Sequence, residues 1–172
     1  KEDGIHYIKM AIEKGNEESM IKLGLLLYKD GQKEEASKYL KKAIDKGNAK
    51  AMFLHGKFLV QEGDVNSKEG FELIKKSIDK GSIDAMHFYG KLLIDENNIV
   101  EGIEYIKKAM DLGNINSTYL YGSLLLKYGV NENKKKEGFQ YLRKACENGN
   151  TEAFIKCIKK LINNLFESNN EI

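Results

Sequence analysis

The side chains with chemistry to offer are few and scattered. His6, His55 and His87 form no pair at helical i,i+4 spacing, and neither His-Glu-x-x-His nor Cys-x-x-Cys occurs in the 172 residues. The spacings by which a helix or loop delivers two ligands to one metal ion are therefore missing, and no metal or other cofactor is expected. No glycine-rich phosphate loop or nucleophile elbow stands out either, so the sequence reads as non-catalytic. What does recur is base beside base: Lys41-Lys42, Lys75-Lys76, Lys107-Lys108 and Arg143-Lys144. Such a row suits an anionic partner, but Asp45, Asp79, Asp111 and Glu147 follow three or four residues later, at pairing distance on a helix. These spacings favour a solvated, self-paired face.

Composition narrows the class. Lys+Arg number 28 against 26 Asp+Glu, a net charge of +2, which argues against nucleic acid as the partner. No window of ~20 apolar residues is present, so no membrane span is expected. With 41% hydrophobic residues the chain can build a core. It has Gly 16 but Pro 0 and Trp 0, where Pro normally makes up ~5%; collagen-like and proline-linker architectures are excluded.

The elements that must position these residues repeat. A segment of the form aromatic-Leu/Ile-Lys-Lys-Ala-Ile-acid-x-Gly-Asn carries its glycine at Gly15, Gly47, Gly81, Gly113 and Gly149, at spacings of 32, 34, 32 and 36. Nine residues after the first four lie Gly24, Gly56, Gly90 and Gly122; eleven before all five lie Gly4, Ala36, Gly70, Gly102 and Gly138. Two apolar 3.6-residue patterns per period predict a helix-turn-helix array. Each ruler glycine suits the left-handed position that ends a helix, and Asn16, Asn48, Ser82, Asn114 and Asn150 suit the N-cap of the next. Helices are predicted over 2–14, 17–29, 33–46, 49–61, 67–80, 83–95, 99–112, 115–128, 134–147 and 151–166. The helix after a ruler glycine is termed A and the one before it B. Glycines inside helix A cost ~1 kcal/mol each relative to Ala, and close approach of the small-residue face of helix B is the expected compensation. Leu27, Leu59, Leu93 and Leu125, with the row Tyr7, Tyr39, Tyr105 and Tyr141, are expected to fill the space between layers.

The segment Ala36 to Ala51, Ala-x-x-Tyr-Leu-Lys-Lys-Ala-Ile-Asp-x-Gly-Asn-x-x-Ala, with the steps Leu23-Gly24, Tyr89-Gly90 and Tyr121-Gly122, resembles the Sel-one-like repeat (SLR), a relative of the tetratricopeptide repeat (TPR). The period is shorter than is usual for SLRs, and only remnants such as Gly129-Val130 survive of the family's A-to-B loop. The resemblance implies an all-α, right-handed α-α superhelix of antiparallel helix pairs. It is expected as one solenoid over 1–166, four complete pairs with a half repeat at each end, followed by a frayed tail over 167–172. The resemblance also implies a protein-binding scaffold or adaptor. The alternative is the regulatory repeat region of a larger enzyme, such as a kinase, whose catalytic domain lies elsewhere.

Within this register His55 occupies the slot of Leu23, Tyr89 and Tyr121, which marks it as a packing residue. Cys146 and Cys157 also fall in apolar slots. Their offset from the turn, ~7–8 Å along antiparallel helices, argues against a disulfide and favours a reducing, cytoplasmic setting. By analogy with helix-pair solenoids, A helices line the concave surface. The positions there give Lys50, Phe53, Lys57 and Gln61; Asp84, His87, Lys91 and Asp95; Asn116, Tyr119, Ser123 and Lys127, although Phe53 and Tyr119 are equally suited to packing against neighbouring A helices. An aromatic ladder flanked by lysines suits a peptide or protein with apolar anchors and acidic groups. The chain opens on a B helix, so upstream sequence is expected. Ile158 takes the slot that glycine holds in the other A helices, and with Leu161, Ile162, Leu165 and Phe166 it is expected to seal the stack as a C-terminal cap.

Overall fold

The computed structural model describes residues 2–63 and 67–159. These are helical and paired: α1 (Glu2–Glu13), α2 (Glu17–Lys29), α3 (Lys33–Asp45), α4 (Ala49–Glu62), α5 (Ser67–Asp79), α6 (Ile83–Asp95), α7 (Ile99–Asp111), α8 (Ile115–Tyr128) and α9 (Glu132–Glu147). A further helical segment, α10, is described over 151–159. Even-numbered helices are the A helices. The chain divides into two compact units, Lys1–Ala85 and Met86–Ile172. The predicted helix end at 166, the capping residues Leu161, Ile162, Leu165 and Phe166, and the tail lie outside the described residues.

Each B-to-A turn is built in the same way. Gly15, Gly47, Gly81, Gly113 and Gly149 have φ between +81° and +92°, a region in which a Cβ is penalised. The glycine N–H donates to the carbonyl three residues back, as from Gly47 to Ile44 at 2.7 Å, and the next N–H donates five back, as from Asn48 to Ala43 at 3.1 Å. These are the two bonds of a Schellman motif, and they satisfy carbonyls that the helix end would leave bare. The residue closing the motif then starts the next helix: Asn16, Asn48, Asn114 and Asn150 accept through Oδ1 from the N–H three residues on, at 2.8, 3.0, 2.8 and 2.8 Å. Ser82 does so through Oγ at 3.3 Å. Successive turns are also tied together. In the first unit Lys46 Nζ donates to the Gly15 carbonyl at 2.9 Å, and Asn48 Nδ2 to Glu17 at 2.8 Å.

The small residues lie where helix A meets the following helix B. A Cβ on Gly56 would stand 2.6 Å from the Gly70 carbonyl oxygen, one on Gly90 2.9 Å from that of Gly102, and one on Gly122 2.8 Å from that of Gly138. Ordinary Cβ contacts begin near 3.4 Å, so the missing side chain is what admits this approach. Leu40, Ile74, Ile106 and Leu142, one residue after the aromatic slot, are fully buried. Of the expected leucine row, Leu93 is buried and Leu27, Leu59 and Leu125 are half-buried. At a small-residue slot held by alanine in the other repeats, the buried Ser77 hydroxyl donates to the Ala49 carbonyl at 2.7 Å.

Several expectations need correction. Tyr7 does not fill an interior gap but is 70% exposed. Tyr39, Tyr105 and Tyr141 are half-buried; Tyr105 and Tyr141 meet Tyr89 and Tyr121 edge to face, with ring centroids 5.0 Å apart in each pair. Helix α9 begins before the predicted start, because Asn131 Oδ1 accepts from Lys134 N–H at 2.9 Å and caps it. The Lys134-Lys135-Lys136 run therefore lies inside the helix, with Lys134 on Glu137 and Lys135 on Glu132. Of the expected base-carboxylate pairs along B helices, Arg143–Glu147 forms at 2.9 Å. Lys41 instead reaches Glu69 of α5 at 3.9 Å, and Lys42 and Lys108 lie over the Tyr39 and Tyr105 rings of their own helices. Exposed ion pairs and cation–π contacts are worth similar, small amounts, so a flexible lysine stem takes either.

Because Gly56 has no room for a side chain, Gly56→Ala is expected to lower unfolding stability by ~1–3 kcal/mol. Gly4→Ala, whose Cβ would meet nothing within 4 Å, is expected to raise it by up to ~1 kcal/mol; urea denaturation of both separates packing from propensity. His55 is 3% exposed. Burial, and secondarily the charge of Lys41, hold its pKa below the ordinary 6.5. The folded state thus binds this proton more weakly than the unfolded chain. Its contribution is complete above the unfolded value and is lost as pH falls through the lowered folded value. His55→Leu should therefore show a smaller drop in urea midpoint than the parent chain between about pH 7 and about pH 5.

Candidate functional site

A groove of about 510 Å³ in the second unit is lined by His87 and Lys91 of α6, Asn116, Tyr119 and Leu120 of α8, and the stretch from Gly149 to Glu152 that opens α10. Three successive A helices therefore contribute to it, and the turns described above set where each begins. Its polar groups are oriented by the caps. Asn150 Oδ1 accepts from Ala153 N–H, which leaves Nδ2 to donate to Asn116 Oδ1 at 3.1 Å; the Asn116 amide is aligned in turn. His87 Nδ1 lies 2.8 Å from the fully buried Ser117 Oγ, which fixes the imidazole plane. Lys156 Nζ stands 5.2 Å from the Tyr119 ring centroid and donates to Ser123 Oγ at 2.9 Å. Lys91 and Glu152 are exposed charges of opposite sign on the walls.

Of the residues singled out by sequence, His87, Lys91, Asn116 and Tyr119 are brought to this one groove. Ser123 is adjacent and donates to the Tyr119 carbonyl at 2.9 Å, while Lys127 is turned over the Tyr128 ring, 4.9 Å from its centroid. Lys50, Phe53 and Lys57 belong to the first unit. Phe53 is only 8% exposed, with Lys57 over its ring, so it offers no open aromatic face. Lys50 pairs with Glu18 at 3.2 Å. Sequence reasoning missed Glu152 and Lys156. Glu152 holds in the fifth repeat the position of Lys50, Asp84 and Asn116, so the register reaches it. Lys156 shares its slot with Lys22 but also with Leu54, Phe88 and Leu120, and so carries no periodic signal.

Other chemistry is sparse. Among the described residues no group of three or more His, Cys, Asp or Glu side chains converges on a possible metal position. No described helix is long and apolar enough to cross a membrane. Cys146 and Cys157 are half-buried free thiols, and burial, followed by the neighbouring Cys146, pushes the Cys157 pKa up, which disfavours the reactive thiolate.

Family models match the chain in both halves: plant tetratrico peptide repeats over residues 1–87, and the Sel1 repeat over 85–114 and 115–150. The chain belongs to the Sel1/TPR-like helical repeat proteins. No curated protein matches it in sequence. Among solved structures, a protective antigen of uropathogenic Escherichia coli with an SLR fold superposes with a TM-score of 0.72 at 20% identity, over 87% of this chain and 34% of that one. A Sel1 repeat protein from Oxalobacter formigenes gives 0.66 at 22%, over 80% and 60%. YrrB, described as a TPR protein with an unusual peptide-binding site, gives 0.58 at 22%, over 86% and 78%. At these identities the likeness is one of fold. This Sel1/TPR-like chain spans about a third of the length of the first and 60% of the second. Sel1/TPR repeats generally mediate protein interactions and are typically non-catalytic.

Asn150 couples the cap of α10 to the groove wall. Asn150→Ala should cost ~1 kcal/mol of stability and release the Asn116 amide, whereas Asn150→Asp, which keeps an accepting oxygen, should retain most of the cap; thermal melts and the Asn116 side-chain amide resonances check both.

Proposed function

We propose that the chain is a non-catalytic scaffold that holds a peptide or protein partner along its A helices, with the groove between α6, α8 and α10 as the principal site. The observation that carries this reading is the convergence of His87, Lys91, Asn116 and Tyr119 on one groove, with His87 and Asn116 oriented by a buried hydroxyl and a helix cap. A preorganised wall of this kind lowers the ordering cost of binding. Lys91 and the Lys156–Tyr119 pair favour an acidic residue next to an apolar or aromatic anchor, and Leu120 supplies apolar surface. Lys50 and Lys57 on α4 of the first unit carry the same charge, without an aromatic anchor from Phe53.

Selection from a displayed library of random peptides is expected to enrich sequences that combine acidic and apolar residues. Lys91→Glu with Tyr119→Ala should weaken the selected peptides by about ten-fold or more, while Lys144→Glu, exposed on α9, should leave them unchanged. Peptides that bind the groove variant as well as the parent chain would place the site elsewhere.

A further inference from the structure

A second cavity, of about 200 Å³, lies wholly within the first unit, at the corner where α2, α3 and α4 meet. Its origin is legible in the repeat register. Ten residues before the ruler glycine, the B helices carry Ile5, Phe71, Ile103 and Phe139, but α3 carries Ser37. Eight residues after it, the other A helices carry Leu23, Tyr89, Tyr121 and Cys157, but α4 carries the imidazole of His55. The two exceptions face each other, with Ser37 Oγ 3.3 Å from His55 Nε2. A corner that takes an aromatic or branched aliphatic side chain from the B helix in the other repeats is here left to a hydroxyl beside an imidazole.

The rest of the lining suits a flat ring. Tyr28 and Phe58 stack in parallel, centroids 3.5 Å apart at 3°, and present aromatic surface. Lys33 Nζ lies 3.2 Å from Glu62 and 5.9 Å from the Tyr28 centroid. The lysine at the rim is thus already matched by a carboxylate, and with Glu34 also in the lining nothing favours an anionic ligand. The Tyr28 pKa is raised, first by burial and then by Glu62, and that of His55 is lowered by burial; both groups meet a ligand in neutral form at neutral pH. A dry cavity of ~150 Å³ is enough to hold benzene, so the space here admits one six-membered ring with a small substituent.

We propose that this corner is a binding site for a single phenolic ring, which enters where Phe71 and Phe139 stand in other repeats and places its hydroxyl against Ser37 and His55. A free phenol and a tyrosine side chain of a partner share this chemistry. The site is distinct from the groove of the second unit and does not depend on it.

The test is titration of the full chain with p-cresol and with toluene, followed through the ¹H–¹⁵N and His55 ring resonances. Saturable p-cresol binding is expected, about five-fold tighter than toluene for one neutral hydrogen bond, with shifts centred on Ser37, His55 and Phe58. Ser37→Phe should abolish it by filling the cavity from within. His55→Tyr, which restores the residue type of Tyr89 and Tyr121, does the same should Ser37→Phe fail to fold. N-acetyl-tyrosinamide binding comparable to p-cresol would point to a partner's side chain, and binding of p-cresol alone to a free phenol. The proposal is overturned by a lack of saturable binding, by p-cresol binding no tighter than toluene, or by binding that survives in the folded filled variant.

Discussion

Where an A helix meets the B helix after it, glycine faces glycine: the Gly70 carbonyl lies 2.6 Å from the place of a Gly56 Cβ, and Gly90 with Gly102 and Gly122 with Gly138 repeat the arrangement. Each glycine weakens its own helix by ~1 kcal/mol relative to alanine. The loss is tolerated because two backbones this close let the leucine and isoleucine rows on either side interlock, and those rows supply the buried apolar area. Gly24 shows the same constraint with a different partner. Its missing Cβ makes room for Leu40, 2.9 Å away, against Ala36 instead of a glycine. The spacing between helices of a pair is thus set by the smallest residues, and everything larger is fitted around them.

The turns convert that spacing into a site. One glycine and one asparagine end helix B, satisfy its carbonyls and cap helix A, so the start of such an A helix is fixed by its own turn. The groove of the second unit inherits this. Asn150 closes a Schellman motif, caps α10 and aligns Asn116, which means that one side chain links the local backbone to the surface on which a partner would rest. In the first unit Asn48 caps α4 and reaches Glu17 of the preceding A helix. The same device builds different surfaces because the residues that follow each cap are free to vary.

What could be read from sequence follows from this division between turn and surface. The ruler glycines, the caps and most helix limits were legible because backbone geometry leaves few alternatives at those positions and the register repeats them. Side-chain destinations were harder. Phe53 and Tyr119 share a slot, yet Phe53 is buried and Tyr119 is half-buried beside a lysine that no period announces. Lys42 and Lys108 lie over aromatic rings where spacing offered carboxylates, an outcome decided by small energies and long flexible stems. Helix α9 starts early because Asn131 caps it, a signal the following lysine run obscured. His55 was legible as a packing residue and Ser37 departs from its register, but that the two departures meet at one corner shows only once the fold brings α3 against α4.

The glycine contacts are the constraint on which the rest of the packing depends, and their geometry can be measured without altering the protein. A nuclear Overhauser spectrum should show cross-peaks between the α-protons of Gly56 and Gly70, Gly90 and Gly102, and Gly122 and Gly138, since backbones this close bring those protons within about 5 Å. If those cross-peaks are missing from well-resolved glycine resonances, the helices of each pair are held apart by side chains, and the packing described for this chain is wrong.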